Sequence, residues 1–61
     1  MRTAEISQGD NGFVVSLFKD GVKIGFIDLA DKSKYYADDV VENWSIGILK
    51  EDNKHIVKEN N

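Results

Sequence analysis

Residues 12–29 read GFVVSLFKDGVKIGFIDL, a stretch that turns back on itself to make the central hairpin of a sheet. An Asp-Gly pair between two alternating apolar runs is the strongest short-range signal for a β-hairpin, because its two-residue loop needs positive φ at both positions. With Asp20 and Gly21 as that loop, Lys19 faces Val22, Leu17 faces Ile24, Val15 faces Phe26 and Val14 faces Ile27. Large apolar and β-branched residues then meet across the strands, the pairing that stabilises a sheet.

Upstream, Gly9-Asp10-Asn11-Gly12 reads as a second tight turn. Centred on Asp10 and Asn11, it sets Ile6 opposite Val15 and Ala4 opposite Leu17. The two turns then agree on a common apolar face of Ala4, Ile6, Phe13, Val15, Leu17, Ile24 and Phe26. That agreement matters because a one-residue slip would send a whole strand's apolar set to the wrong side. The opposite face carries Thr3, Glu5, Ser7, Val14, Ser16, Phe18, Lys23, Gly25, Ile27 and Leu29. It is mixed rather than polar, and Val14, Phe18 and Ile27 mark it as a candidate surface for a partner or a second copy.

Beyond Leu29 the apolar period changes from two to about three and a half. Ala37, Val40, Val41, Trp44 and then Ile48 recur at helical spacing, with Asp31 or Ser33 as N-cap and Gly47 placed to end the element. This predicts a helix over 34–46 lying on the apolar sheet face, with Trp44 as its main plug and Tyr36, Val40 and Val41 in the core. In the tail, Ile48-Leu49 and His55-Ile56-Val57 flank a polar stretch; they could close a short hairpin or add a fourth strand. His55 is expected to be a half-exposed strand residue, and Glu59, Asn60 and Asn61 are expected to fray. The predicted fold is α+β: a three-stranded antiparallel sheet made of two hairpins, one amphipathic helix on one face, and a short C-terminal fourth strand as an option. All of residues 1–61 belong to one small domain.

Composition narrows the function. The chain has 61 residues, 41% of them hydrophobic, which is enough for a core. A domain this small buries only about 60% of its unfolded surface, and a thin margin of that kind favours self-association, so a homodimer is expected. There is no cysteine and a single histidine, which removes disulfides, thiolate nucleophiles and ordinary zinc sites. No phosphate-cradling loop is present, since the Gly9–Gly12 turn has neither the lysine nor the spacing of one. We therefore expect no enzyme activity, no cofactor and no metal. Apolar runs are too short to cross a membrane, and Met1–Glu5 lacks an apolar leader; a cytoplasmic protein is expected. Eleven acidic residues against eight basic ones give a net charge of −3, the wrong sign for holding phosphates and so against nucleic acid.

The second candidate surface is the solvent side of the helix. Tyr35, Asp38, Glu42 and Ser45 share the wheel face opposite Ala37, Val40 and Trp44, with Asp39 beside them. Carboxylates in the first turns would suit the helix dipole and solubility. They would equally steer a larger partner with a basic surface, with Tyr35 as an anchor. A hydrolytic pair of carboxylates on this face is a weaker alternative, because so small a domain offers no obvious cleft to raise their pKa values.

Two resemblances bear on these surfaces. The segment Tyr36-Ala37-Asp38-Asp39-Val40-Val41-Glu42-Asn43-Trp44, followed by Gly47, resembles a helix of small phage-encoded proteins. It covers about a quarter of the chain and implies a host-directed inhibitor or accessory factor acting in the host cytoplasm, with no assigned residues. The predicted topology is also similar to the sheet-based DNA-binding domains of some integrases and plant transcription factors. In those, the face away from the helix enters the major groove. Here that face offers only Lys23 among its paired positions, without the arginines that read guanine edges. The leading expectation is a protein-binding module, ahead of a nucleic-acid-binding domain or an assembly subunit.

Overall fold

A computed structural model describes residues 1–59. Strands β1 (Arg2–Gly9), β2 (Gly12–Lys19) and β3 (Val22–Leu29) form a meander, followed by helix α1 (Lys34–Ser45) and a two-residue strand β4 (Val57–Lys58). The sheet is antiparallel with order β1-β2-β3-β4. This is the α+β architecture expected from the sequence, with the optional fourth strand present.

Both turns form where the sequence places them. Ile6 pairs with Val15, Ala4 with Leu17, and Lys19 with Val22. Asp20 at φ 53° and Gly21 at φ 83° give the loop its left-handed residues, so its twist matches the strands it joins.

The second hairpin departs from the simple register after Phe18. Phe18 pairs with Lys23, but Leu17 pairs with Gly25, so β3 carries one extra residue, Ile24, at this point. Such a bulge reverses the phase of everything beyond it. Val15 therefore pairs with Ile27 rather than Phe26, Val14 with Asp28, and Phe26 with Ser16. Ile27 and Leu29, expected on the outer face, lie in the core at 6% and 4% exposure. Phe26, expected in the core, turns to the outer face and is half-buried there. Gly25 explains why the inverted phase is accommodated. A Cβ at this position would sit 2.5 Å from the Val57 carbonyl oxygen and 3.0 Å from Ile56 Cγ2. The missing side chain lets β4 close against β3 and lets Ile56 enter the core.

The buried cluster comprises Val15, Leu17, Ile27 and Leu29 from the sheet, Ala37 and Trp44 from α1, and Ile56 from the tail. Ala4, Ile6, Phe13, Ile24, Val40, Val41 and Leu49 pack around it. Trp44 is fully buried, as expected, and its indole Nε1 donates to the Phe18 carbonyl at 3.0 Å. Tyr36 is not core: it is 48% exposed at the margin of α1, with Lys32 Nζ 5.3 Å from its ring centre.

Helix α1 starts at Ser33 as N-cap, whose carbonyl accepts from the Tyr36 and Ala37 amides, although its hydroxyl makes no capping bond. It ends at Ser45, one residue short of the expected end; the Ile46 and Gly47 amides donate to the Glu42 and Trp44 carbonyls, and Gly47 at φ 85° then turns the chain away from the helix. The exposed Ile48 and the neighbouring Leu49 form no hairpin strand; the Leu49 amide instead donates back to Asn43. His55 lies in a turn rather than in β4. Glu59 is held, its amide donating to Ile24 and its carboxylate pairing with Lys23 at 3.1 Å. The fraying expected of Asn60 and Asn61 falls outside the described residues.

Candidate interaction surfaces

The domain has two layers. Helix α1 crosses the inner face over β1 and β2, and the tail covers the β3 side through Ile56. Nothing among the described residues covers the other face of the sheet. Cross-strand pairing places three rows there: Thr3, Phe18 and Lys23; Glu5, Ser16, Phe26 and Val57; and Ser7, Val14 and Asp28. Phe18 and Phe26 are diagonal neighbours, because Phe26 sits opposite Ser16, two residues along β2 from Phe18. Val57, at 49% exposure, extends the patch beside Phe26, and Val14 extends it along β2. Lys23 Nζ lies 5.8 Å from the Phe26 ring centre and is paired with Glu59, while Glu5 and Asp28 flank the patch. Of the outer-face residues expected to bind a partner, Val14 and Phe18 are in place and Ile27 is replaced by Phe26. The signal that could have located Phe26 is Gly25, since a lone glycine within a strand pattern marks a bulge or a close backbone approach.

The solvent face of α1 is built as expected. Tyr35 is 86% exposed, and Asp38, Asp39 and Glu42 are exposed with it. No acidic residue falls in the first turn, so the expected match to the helix dipole is not the reason for these carboxylates. Asp38 is instead paired with Lys34 one turn earlier, at 3.3 Å, a contact worth only about 0.3–0.5 kcal/mol at an exposed site. Ser45 turns its hydroxyl back to the Val41 carbonyl at 2.8 Å.

A third feature was not legible in the sequence. A groove of about 670 Å³ opens between α1, β3 and the tail, with Ile27, Leu29, Val40 and Leu49 along it and Asp39 and His55 among its polar lining. It exists because the tail folds back over β3. No hydrogen bond joins its titratable side chains among the described residues, and no group of three or more His, Cys, Asp or Glu there is placed to hold a metal ion.

A cluster of ionic contacts centres on Arg2, at the C-terminal end of α1. Arg2 stacks its guanidinium 3.7 Å from the Trp44 ring centre. It donates through Nε to the Trp44 carbonyl at 2.8 Å, through Nη2 to the Leu49 carbonyl at 2.5 Å and through Nη1 to Glu51 at 2.8 Å. Lys19 donates to the other Glu51 oxygen at 3.0 Å. Hydrogen bonds from Arg2 and then Lys19 hold the Glu51 carboxyl down at about 2. The cluster fastens the helix C-terminus to β1 and supplies a cation where the helix dipole favours one.

Comparison with protein-family models, with curated proteins and with solved structures finds no match to this chain. No helix among the described residues is long and apolar enough to cross a membrane.

Proposed function

We propose that this chain is a non-enzymatic protein-binding module that docks a larger partner on the uncovered face of its sheet, with Phe18 and Phe26 as anchors. One observation carries the reading: two adjacent half-buried phenylalanines, extended by Val14 and Val57, occupy a face that the chain's own helix leaves open. Aromatic side chains at the centre of a surface with a polar rim are the usual energetic core of a protein interface. The charges nearby argue against nucleic acid as the ligand. Lys23 is already paired with Glu59, and Glu5 and Asp28 would repel phosphates. The finer reading, a phage-encoded inhibitor or modulator of a host protein, is supported by the resemblance of α1 to helices of small phage proteins.

The exposure of Tyr35 among Asp38, Asp39 and Glu42 favours a second docking surface for a basic partner. The two surfaces lie on opposite layers of the domain, so paired variants separate them. Tagged wild-type chain, the Phe18→Ser/Phe26→Ser variant and the Asp38→Lys/Glu42→Lys variant are used to capture partners from nuclease-treated bacterial lysate. We expect a stoichiometric protein on the wild type and on the helix variant, and its loss from the sheet variant. Loss from the helix variant alone would move the contact to α1. Recovery of nucleic acid in an untreated lysate, with no protein surviving nuclease, would overturn the reading.

A further inference from the structure

The two edges of the sheet are built differently. The β4 edge is two residues long and carries Lys58, both common devices against unwanted strand pairing. The β1 edge runs for eight residues, with no proline and no bulge. Backbone groups along an antiparallel strand point alternately to one neighbour and the other. The Asp20 amide donates to the Met1 carbonyl, so Thr3, Glu5, Ser7 and Gly9 address β2. Arg2, Ala4, Ile6 and Gln8 therefore direct their amides and carbonyls outward, where none has a partner among the described residues.

We propose that this edge pairs with the same edge of a second copy of the chain, forming a two-fold dimer with one continuous eight-stranded sheet. Charge and pairing choose both the occupant and the register. An antiparallel seam must match outward-directed residues with one another. Centring it on Ile6 sets Ile6 against Ile6 of the second copy, Ala4 against Gln8 and Glu5 against Ser7, with no two like charges face to face. Shifting the centre to Glu5 would bring two like carboxylates face to face, which is unfavourable. Shifting it to Ala4 would set Arg2 against Ile6. The Ile6-centred seam supplies about six backbone hydrogen bonds from its three directly bonded pairs. Its two-fold symmetry makes the surface self-complementary without any second protein. It also leaves Phe18 and Phe26 uncovered, so it stands independently of the docking surface above.

Sedimentation equilibrium of the full chain, from micromolar to millimolar, tests the proposal together with three variants. Gln8→Pro removes only an outward amide and should weaken the dimer at least about tenfold, with the circular dichroism and tryptophan fluorescence of the fold retained. Ser7→Lys, facing Glu5 of the second copy, should tighten the dimer roughly threefold or more, because the contact occurs twice, and Ser7→Glu should weaken it by a similar factor. A wild-type chain that stays monomeric throughout, a dimer that tolerates Gln8→Pro, or a dimer indifferent to the charge at position 7 overturns the proposal.

Discussion

Trp44 joins the two layers of this protein through three kinds of contact. Its ring fills the core, its Nε1 bonds the Phe18 carbonyl, and its outer face carries the Arg2 guanidinium. Trp44→Ala should cost about 3–5 kcal/mol, the range for deleting a buried aromatic, read as a lower urea midpoint or outright loss of folding. An equally stable variant would show that the indole is not buried. Glu51 sets a pH dependence of stability. Its folded-state acidity, at about 2, lies below the ordinary unfolded value of about 4.3. Its contribution is therefore complete above that unfolded value and disappears as the pH falls towards about 2. Urea midpoints should decline across that window for the wild type, and Glu51→Gln should flatten the decline. Identical profiles would show that the ion cluster contributes nothing to folding. Trp44 was readable from its helical spacing. The partnership of Arg2, Lys19 and Glu51 was not, because it joins side chains from opposite ends of the chain and leaves no periodic trace.

At the scale of elements, turns and helix period carried most of the fold. Asp20-Gly21 and Asp10-Asn11 set their hairpins correctly because two-residue loops fix register locally. The helix lies within one residue of its expected bounds, since Gly47 ends it through backbone conformation alone. The strict alternation of strands breaks within β3, where a bulge exchanges the expected places of Phe26 and Ile27. Both are apolar, so composition could not reveal the exchange; only Gly25 pointed to it. Gly25→Ala should push β4 off its neighbour, because the added Cβ would meet backbone on the tail rather than a flexible side-chain end. We expect a loss of about 1–3 kcal/mol and faster amide exchange at Val57 and Glu59, the residues of the tail whose amides face β3. Unchanged exchange there would mean that β4 does not depend on the gap. The groove, formed by the return of the tail over β3, depends on the same packing and was equally hidden.

Across the described residues, one helix and one tail cover a single face of a four-stranded sheet, and the register of β3 determines what the other face offers. With the bulge, Phe26 joins Phe18, Val14 and Val57 outside, and Ile27 and Leu29 complete the core. Without it, Phe26 would be buried and Ile27 would be the surface residue. The proposed docking surface is thus half legible in the sequence: Val14 and Phe18 follow from the first hairpin alone, whereas Phe26 follows from a three-dimensional fit between Gly25 and Ile56. Adjacent single substitutions separate the two registers most directly. Chemical denaturation of Ile27→Ala and Phe26→Ala, side by side with the wild type, should show a loss of about 2–5 kcal/mol for Ile27→Ala, the cost of truncating a buried aliphatic residue, and about 1 kcal/mol for Phe26→Ala, as for a partly exposed one. The reverse order, with Phe26→Ala the more damaging, would place Phe26 in the core and remove the anchor on which the proposed docking surface depends.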